Sequence, residues 1–388
     1  MSPCTPEEIA AEIEIKLERL QRFMKEKHFA AIAITLANNF SWITAGLADN
    51  QVAHSHDVGA ATIVITNNGS RFLAAAYSEV PRLMDQALAQ LNYIPLETPW
   101  YAAAPDFHQA LSIDGAIASD VERPGCTTVD ITPLRKQLTD SEIKKFRWVG
   151  LKSAEAVCEV TRALKPGMSE EQMESDIACA LWKKGLRPTV LLIGSDDRLF
   201  KYRHALPDYN KLIEKYAMVN VCAKRWGLVA SVTRMVHFGP LPDKLRNRLQ
   251  ATAMVNSRLM AALRPGAVLG EIFKQCEGWY TELGYPDQWR FHHQGGPCGY
   301  GERDSVVTPN SNDTVAEGQA FAFNPTIKGA KVEDTVIVFK DHVENITSTP
   351  DWPMIEVKTG GITWHCPDIL IQGAPQTDWG KAAATTAS

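Results

Sequence analysis

The chain repeats itself. Ala163-Leu-Lys-Pro-Gly167 returns as Ala262-Leu-Arg-Pro-Gly266, 99 residues later, and Gly185 is matched by Gly284 at the same offset. Each Pro-Gly pair closes one helix-like stretch and opens a second, which its glycine then ends. A unit of helix, basic-Pro-Gly turn, helix and strand cannot bury its apolar face alone. Two copies packed together predict a pseudo-symmetric domain with a site between its halves. Thr139-Asp-Ser-Glu142 opens the first copy as a capping box, with a helix running to about Leu164, and Ser169-Glu-Glu-Gln172 caps the next helix.

Upstream the pattern changes. Residues 6–27 read as an amphipathic helix, with Ile13, Leu17, Leu20 and Phe23 at three- and four-residue steps. Strand-like runs follow at Ala30–Thr35 and Ala60–Thr66. Asn67-Asn68-Gly69 is a turn signal before a partner strand at Arg71–Ala76. A helix over Glu79–Leu91 and strands at Ile94–Leu96 and Gly115–Ser119 complete the alternation. The expected fold class is α/β (α+β): an N-terminal mixed-sheet domain over 1–136, the pseudo-symmetric domain over 137–372, and a polar, disordered tail over 373–388.

Composition narrows the partners. The net charge is −5 with no Lys/Arg block, which argues against nucleic acid. No apolar run approaches the roughly 20 residues that span a bilayer, so no membrane partner is expected. Eight scattered cysteines without a Cys-x-x-Cys pair point to reduced thiols and a cytoplasmic protein.

The segment Met218–Arg234 carries the chemical argument, with Asn220, Gly227, Ser231, Thr233 and Arg234 as its landmarks. It resembles the central strand pair of the pita-bread hydrolases: aminopeptidase P, prolidase, methionine aminopeptidase and creatinase. In the metal-dependent members an Asp is followed by a Gly seven residues on, a second Asp eleven on, and then Thr-Arg. Gly227, Thr233 and Arg234 keep that spacing, but Asn220 and Ser231 stand at the two Asp positions. The family's ligand histidine falls on Gly296 in His292-His-Gln-Gly-Gly296. Its first glutamate falls on Asn324 in Phe321-Ala-Phe-Asn-Pro325, and its last survives as Glu333. One carboxylate cannot replace the water shell and balance the charge of two hard divalent ions. The resemblance therefore implies a member with no metal ligands and no other cofactor. A new site built from His292, His293, Glu302, Asp304 and Glu333 is disfavoured, since adjacent histidines on a strand would point apart.

Creatinase, which cleaves a C–N bond without metal, also has Asn at the first Asp position, and its proton-carrying histidine lies in the loop before that strand. The matching loop here is Phe200-Lys-Tyr-Arg-His204-Ala-Leu-Pro207. His204 is the expected general base and acid, because an imidazole can take a proton from water and return it near neutral pH. Arg198, Lys201, Tyr202 and Arg203 around it suggest an anion-facing lid. Glu333 has two readings: it orients water or a cationic substrate group, or it is a structural partner of Arg234. Asn220 and Glu333 join His204 as expected catalytic residues. Arg234, Arg303, His292, His293, Asn324 and Tyr202 are expected to bind substrate, with Arg303 at the family's substrate-histidine position and one of the two histidines structural. Cys222 reads as core, and Cys298 is the better thiol candidate.

The implied activity is metal-independent hydrolysis of a C–N bond in a small polar, carboxylated compound. The alternatives are a non-catalytic binding module on the same fold, and a metalloaminopeptidase with atypical ligands. The resemblance also implies a homodimer in which Asn39–His56, with Asn50, His54 and His56, covers the partner's site.

Overall fold

A computed structural model describes residues 2–373, so the tail expected over 373–388 lies outside the described residues from 374 on. The first helix, Pro6–Lys27, starts at a capping box in which Thr5 accepts from the Glu8 N–H and Glu8 accepts from the Thr5 N–H. Its buried stripe of Ile13, Leu17, Leu20 and Met24 packs with the inward residues of a six-stranded mixed sheet. The strand order in that sheet is Ile94–Thr98, Arg71–Ala76, Val58–Thr66, Ala31–Leu36, Ile117–Ser119 and Cys126–Thr128. The helix expected over Glu79–Leu91 is shorter: an α-helical turn at Val80–Leu83 runs into a π-helical turn at Met84–Leu88.

The duplication is visible in the backbone. Helices Asp140–Ala163 and Glu170–Lys183 precede one four-stranded sheet, and helices Asp243–Ala262 and Leu269–Glu282 precede the other. Gly167 and Gly266 have φ of 89° and 87°, and Gly185 and Gly284 have φ of 74° and 82°. Those left-handed positions are ones that glycine adopts without a Cβ penalty. The turns are also tied alike: Gly167 N–H donates to Ile213 O at 2.8 Å, and Gly266 N–H to Val315 O at 2.9 Å.

The first sheet has the order Ile369–Gln372, Leu228–Phe238, Tyr216–Arg225, Arg187–Ser195. Its central hairpin reverses through Trp226 and Gly227, with φ of 53° and 82°, the two-positive-φ turn whose twist suits a hairpin. A Cβ on Gly227 would sit 2.6 Å from Ser41 Cβ and 2.8 Å from the Tyr300 ring, so glycine there lets the hairpin tip meet the short helix Ala37–Ile43 and the loop after Gly295–Cys298. The second sheet runs Gly295–Cys298, Gln319–Phe323, Asp334–Val338, Val343–Asn345. Residues 220, 231, 303 and 333 come together where the two sheets meet.

Candidate active site

Strand alternation sorts the side chains of the central hairpin and of the segment entering Asp334–Val338. Thr233 and Glu333 face the site; their neighbours Arg234 and Asp334 face away from it and pair with each other at 3.0 Å. Arg234 is 1% exposed and also donates to Thr347 O at 2.9 Å. The expected role of Arg234 as an anion holder or as the partner of Glu333 is therefore corrected: its guanidinium is engaged on the opposite face.

Glu333 is 2% exposed and is the hub of a polar cluster where the two sheets meet. Oε2 accepts from Asn220 Nδ2 at 2.6 Å, from Thr233 Oγ at 2.9 Å and from Lys331 Nζ at 2.9 Å. Oε1 accepts from Arg303 Nη2 at 2.7 Å. Lys331 also donates to Asn220 Oδ1 at 3.0 Å, and Arg303 Nη1 to Ser231 Oγ at 3.0 Å. Burial alone would raise the Glu333 carboxyl, but Lys331 and Arg303 outweigh it and hold it down at about 2. Glu333 is ionised at neutral pH and carries two cations. Lys331 and Thr233 were missed from the sequence, although Lys331 lies two residues before Glu333, the spacing that puts extended residues on one face.

These residues do not fit a metal cluster. Asn220 turns an amide N–H toward Glu333, where a metal ligand needs a lone pair. A Cβ on Gly296 would lie 2.4 Å from Ser305 O, so that position has no room for a histidine unless the chain around Ser305 moves. Asn324 is 3% exposed and neutral, with a buried Oδ1 that has no hydrogen-bond partner among the described residues. The remaining carboxylate is neutralised by covalently attached cations.

Beside this cluster three imidazoles meet. His292 and His293 do not point apart as expected: they leave the strand geometry before Gly295, and their rings stack with centroids 4.4 Å apart. His204 Nε2 lies 2.8 Å from His292 Nε2. Partner chemistry assigns the tautomers. His292 Nδ1 faces the His293 carbonyl at 2.5 Å, and a carbonyl only accepts, so Nδ1 carries the proton. His292 Nε2 is then the acceptor, and His204 Nε2–H donates to it. Gly295 N–H donates to His293 Nδ1 at 3.2 Å, which leaves the His293 proton on Nε2.

Burial, then Lys331, pushes His292 down to about 3; burial, then Arg303, pushes His293 down to about 4. Burial and Lys331 lower His204 as well. All three are neutral at pH 7, and His204 keeps an unshared lone pair on Nδ1. One nitrogen from each ring lies within 4.8 Å of the others, a spacing that a metal ion could also use. The arrangement is a directional hydrogen-bond chain.

The lid is less uniform than expected. Arg198 is pinned to Glu170, Asp208 and Leu206 O, and Lys201 to Asp197. Arg203 has only the neutral Gln288 Oε1 at 2.6 Å as a polar partner among the described residues. Tyr202 is half exposed, with its ring against Arg198. Burial pushes the Cys222 thiol up to about 12 and Cys298 further up, so neither is a nucleophile. In the segment 39–56, expected to cover a partner's site, Asn39 and Asn50 are buried within their own chain, while residues 52–56, with His54 and His56, are exposed. Asn39 bonds Asp120, Asn50 donates to Thr35 O and Ala61 O, and His54 lies against Trp182.

The profile of metallopeptidase family M24 matches residues 144–340, just over half of the chain. The chain belongs to metallopeptidase family M24. An uncharacterized peptidase of Staphylococcus saprophyticus is 23% identical over 366 residues, covering 86% of this chain and 99% of that protein. The agropine synthesis cyclase of Rhizobium rhizogenes is 30% identical over 140 residues, 34% of this chain and 35% of the cyclase. The structure of dipeptidase PepE from Mycobacterium ulcerans superposes with a TM-score of 0.73 at 17% identity, covering 93% of this chain and 98% of that one. The fold is that of the M24 dipeptidases and prolidases, as the hairpin motif implied. No described helix is long and apolar enough to cross a membrane.

Proposed function

We propose that this M24 chain is a metal-independent hydrolase that cleaves a C–N bond in a small, carboxylated substrate, with His204 as proton carrier. The observation that carries the reading is the His204–His292 hydrogen bond. It fixes His204 with Nε2–H tied down and Nδ1 free, oriented by a histidine that is itself tied to a carbonyl. Nδ1 removes a proton from water as the water oxygen bonds to the carbon of an amide, urea or amidine. The C–N bond then breaks, and the same proton passes to the departing nitrogen. Asn220 and Glu333 position the reacting groups, and Arg303 supplies the positive field for a carboxylate. Exposed Tyr202, Leu206, Tyr209 and Phe291 flank His204 and His292 in the chain and support a homodimer or a closing substrate as cover.

A screen of N-acyl amino acids, ureas and amidines should yield a substrate whose turnover falls by about 10²–10⁴ in His204→Ala, with the melting temperature kept and with EDTA without effect. Full activity in that variant sinks the assignment. A second reading rests on the agropine synthesis cyclase relative: the same proton carrier could serve ring closure of a small polar compound, and such an enzyme would form product without consuming water. Peptidase activity, which the names of other relatives suggest, predicts hydrolysis of dipeptides in the same screen.

A further inference from the structure

The geometry points to Lys331 and Arg303 as tethered replacements for two metal ions, forming with Glu333 a site for an anionic oxygen in place of a site for cations. Each cation spans two of the M24 ligand positions. Lys331 touches Asn220 and Glu333, and Arg303 touches Ser231 and Glu333. Glu333 gives one oxygen to each, as a bridging carboxylate would. A divalent ion entering here would meet an ammonium and a guanidinium before any free carboxylate.

The charges do not close. Lys331 and Arg303 contribute two positive charges, Glu333 one negative, and these side chains are 4%, 11% and 2% exposed. Of the other acids nearby, Asp334 pairs with Arg234 and Asp304 with Arg135, while Glu302 is half-buried, has no ion pair among the described residues and meets Arg303 through its backbone carbonyl and not its carboxylate. Among the described residues Lys331 uses two of its three N–H donors, and Arg303 Nε is buried without a partner. The group that completes the site is a carboxylate, or the oxygen that gains an electron pair when water adds to a carbonyl. Lys331 then takes the charge-stabilising part that a metal takes elsewhere. The catalytic half of this inference rests on the hydrolase reading; the binding half does not.

The test is metal uptake and anion response in the full chain. Wild-type protein equilibrated with Mn²⁺, freed of excess and submitted to elemental analysis should hold far less than one ion per chain. Acetate, compared with a sulfate-free chloride buffer of equal ionic strength, should raise its melting temperature by about 2 °C or more. Lys331→Met should lose that response, Lys331→Arg should keep it, and His204→Ala should keep it too. One Mn²⁺ per wild-type chain, no wild-type acetate response, or an undiminished response in Lys331→Met overturns the inference. If Lys331→Met does not fold, the wild-type measurements and Lys331→Gln decide in its place. Because the metal and acetate measurements need no turnover, failure to find a hydrolysed substrate and failure of the tethered-cation site are separate results.

Discussion

Two buried ion clusters sit in this molecule, and they differ in their sum. At the junction of the first helix with Asp140–Ala163, Lys16 meets Glu12 at 2.6 Å and Glu142 at 2.8 Å, and Lys145 meets Glu12 at 2.8 Å. Tyr300 completes that cluster by donating to Glu142 and accepting from Lys16. Two cations face two carboxylates, all at most 1% exposed. At the candidate site two cations face one carboxylate. A closed cluster is complete in the folded protein and has nothing to offer a ligand. A cluster left with one charge over is a structure that only a ligand completes. Tyr300 and Arg303 belong to one short loop, so the balanced cluster also fixes the backbone from which the unbalanced one is built.

The largest effect should come from breaking the balanced cluster. Lys16→Met leaves Glu12 with Lys145 and Glu142 with no cation in contact among the described residues, and removal of one partner from a buried ionic set costs about 3–5 kcal/mol. Urea denaturation should show that loss, and added acetate should not restore any of it. Lys331→Met removes a cation from a cluster that has one to spare, so about 1–2 kcal/mol is expected, since Arg303 stays on Glu333. Equal losses in the two variants would mean that the distinction between closed and open clusters is wrong.

Acid should separate the two regions next. His292 and His293 have folded values near 3 and 4, below the ordinary 6.5. Stability from keeping them neutral is complete above pH 6.5 and is lost as pH falls toward 4 and 3. Glu333, at about 2, and Glu142, held down by Lys16 against its burial, are stabilising above about pH 4.5 and lose that contribution only at lower pH. Melting temperature followed from pH 7.5 to 4.5 should therefore report the histidines, with a loss on the order of 3 kcal/mol. His292→Phe should flatten that limb, and a variant as acid-sensitive as wild type there would remove the neutral-histidine chain.

Much of this was legible in the residues. The 99-residue repeat gave the two halves, because Pro-Gly turns and left-handed glycines are local and name themselves. The absent ligands were legible for the same reason: Asn220, Ser231, Gly296 and Asn324 are identities at spaced positions. What replaced them was not, because Lys331–Glu333 and Arg303–Ser231 are contacts whose partners are set by which face each strand turns inward. Arg234 was misassigned on that ground, one residue of register exchanging it for Thr233. The paired histidines failed differently, since the alternation rule was applied to residues that precede the strand.

The smallest predicted effect tests that register. Arg234 and Asp334 form a one-to-one buried pair on the far face, so replacing both should cost little where replacing one costs much. Arg234→Met alone leaves Asp334 buried without its cation and should cost about 3 kcal/mol. Arg234→Met with Asp334→Leu should return to within about 1 kcal/mol of wild type, although Thr347 O loses a donor. Neither variant should change the acetate response or the KM for a carboxylated substrate, because neither side chain reaches the Glu333 face. A raised KM in the stable double variant, with kcat unchanged, would return Arg234 to the role of anion clamp and put the excess charge on the wrong side of the strand.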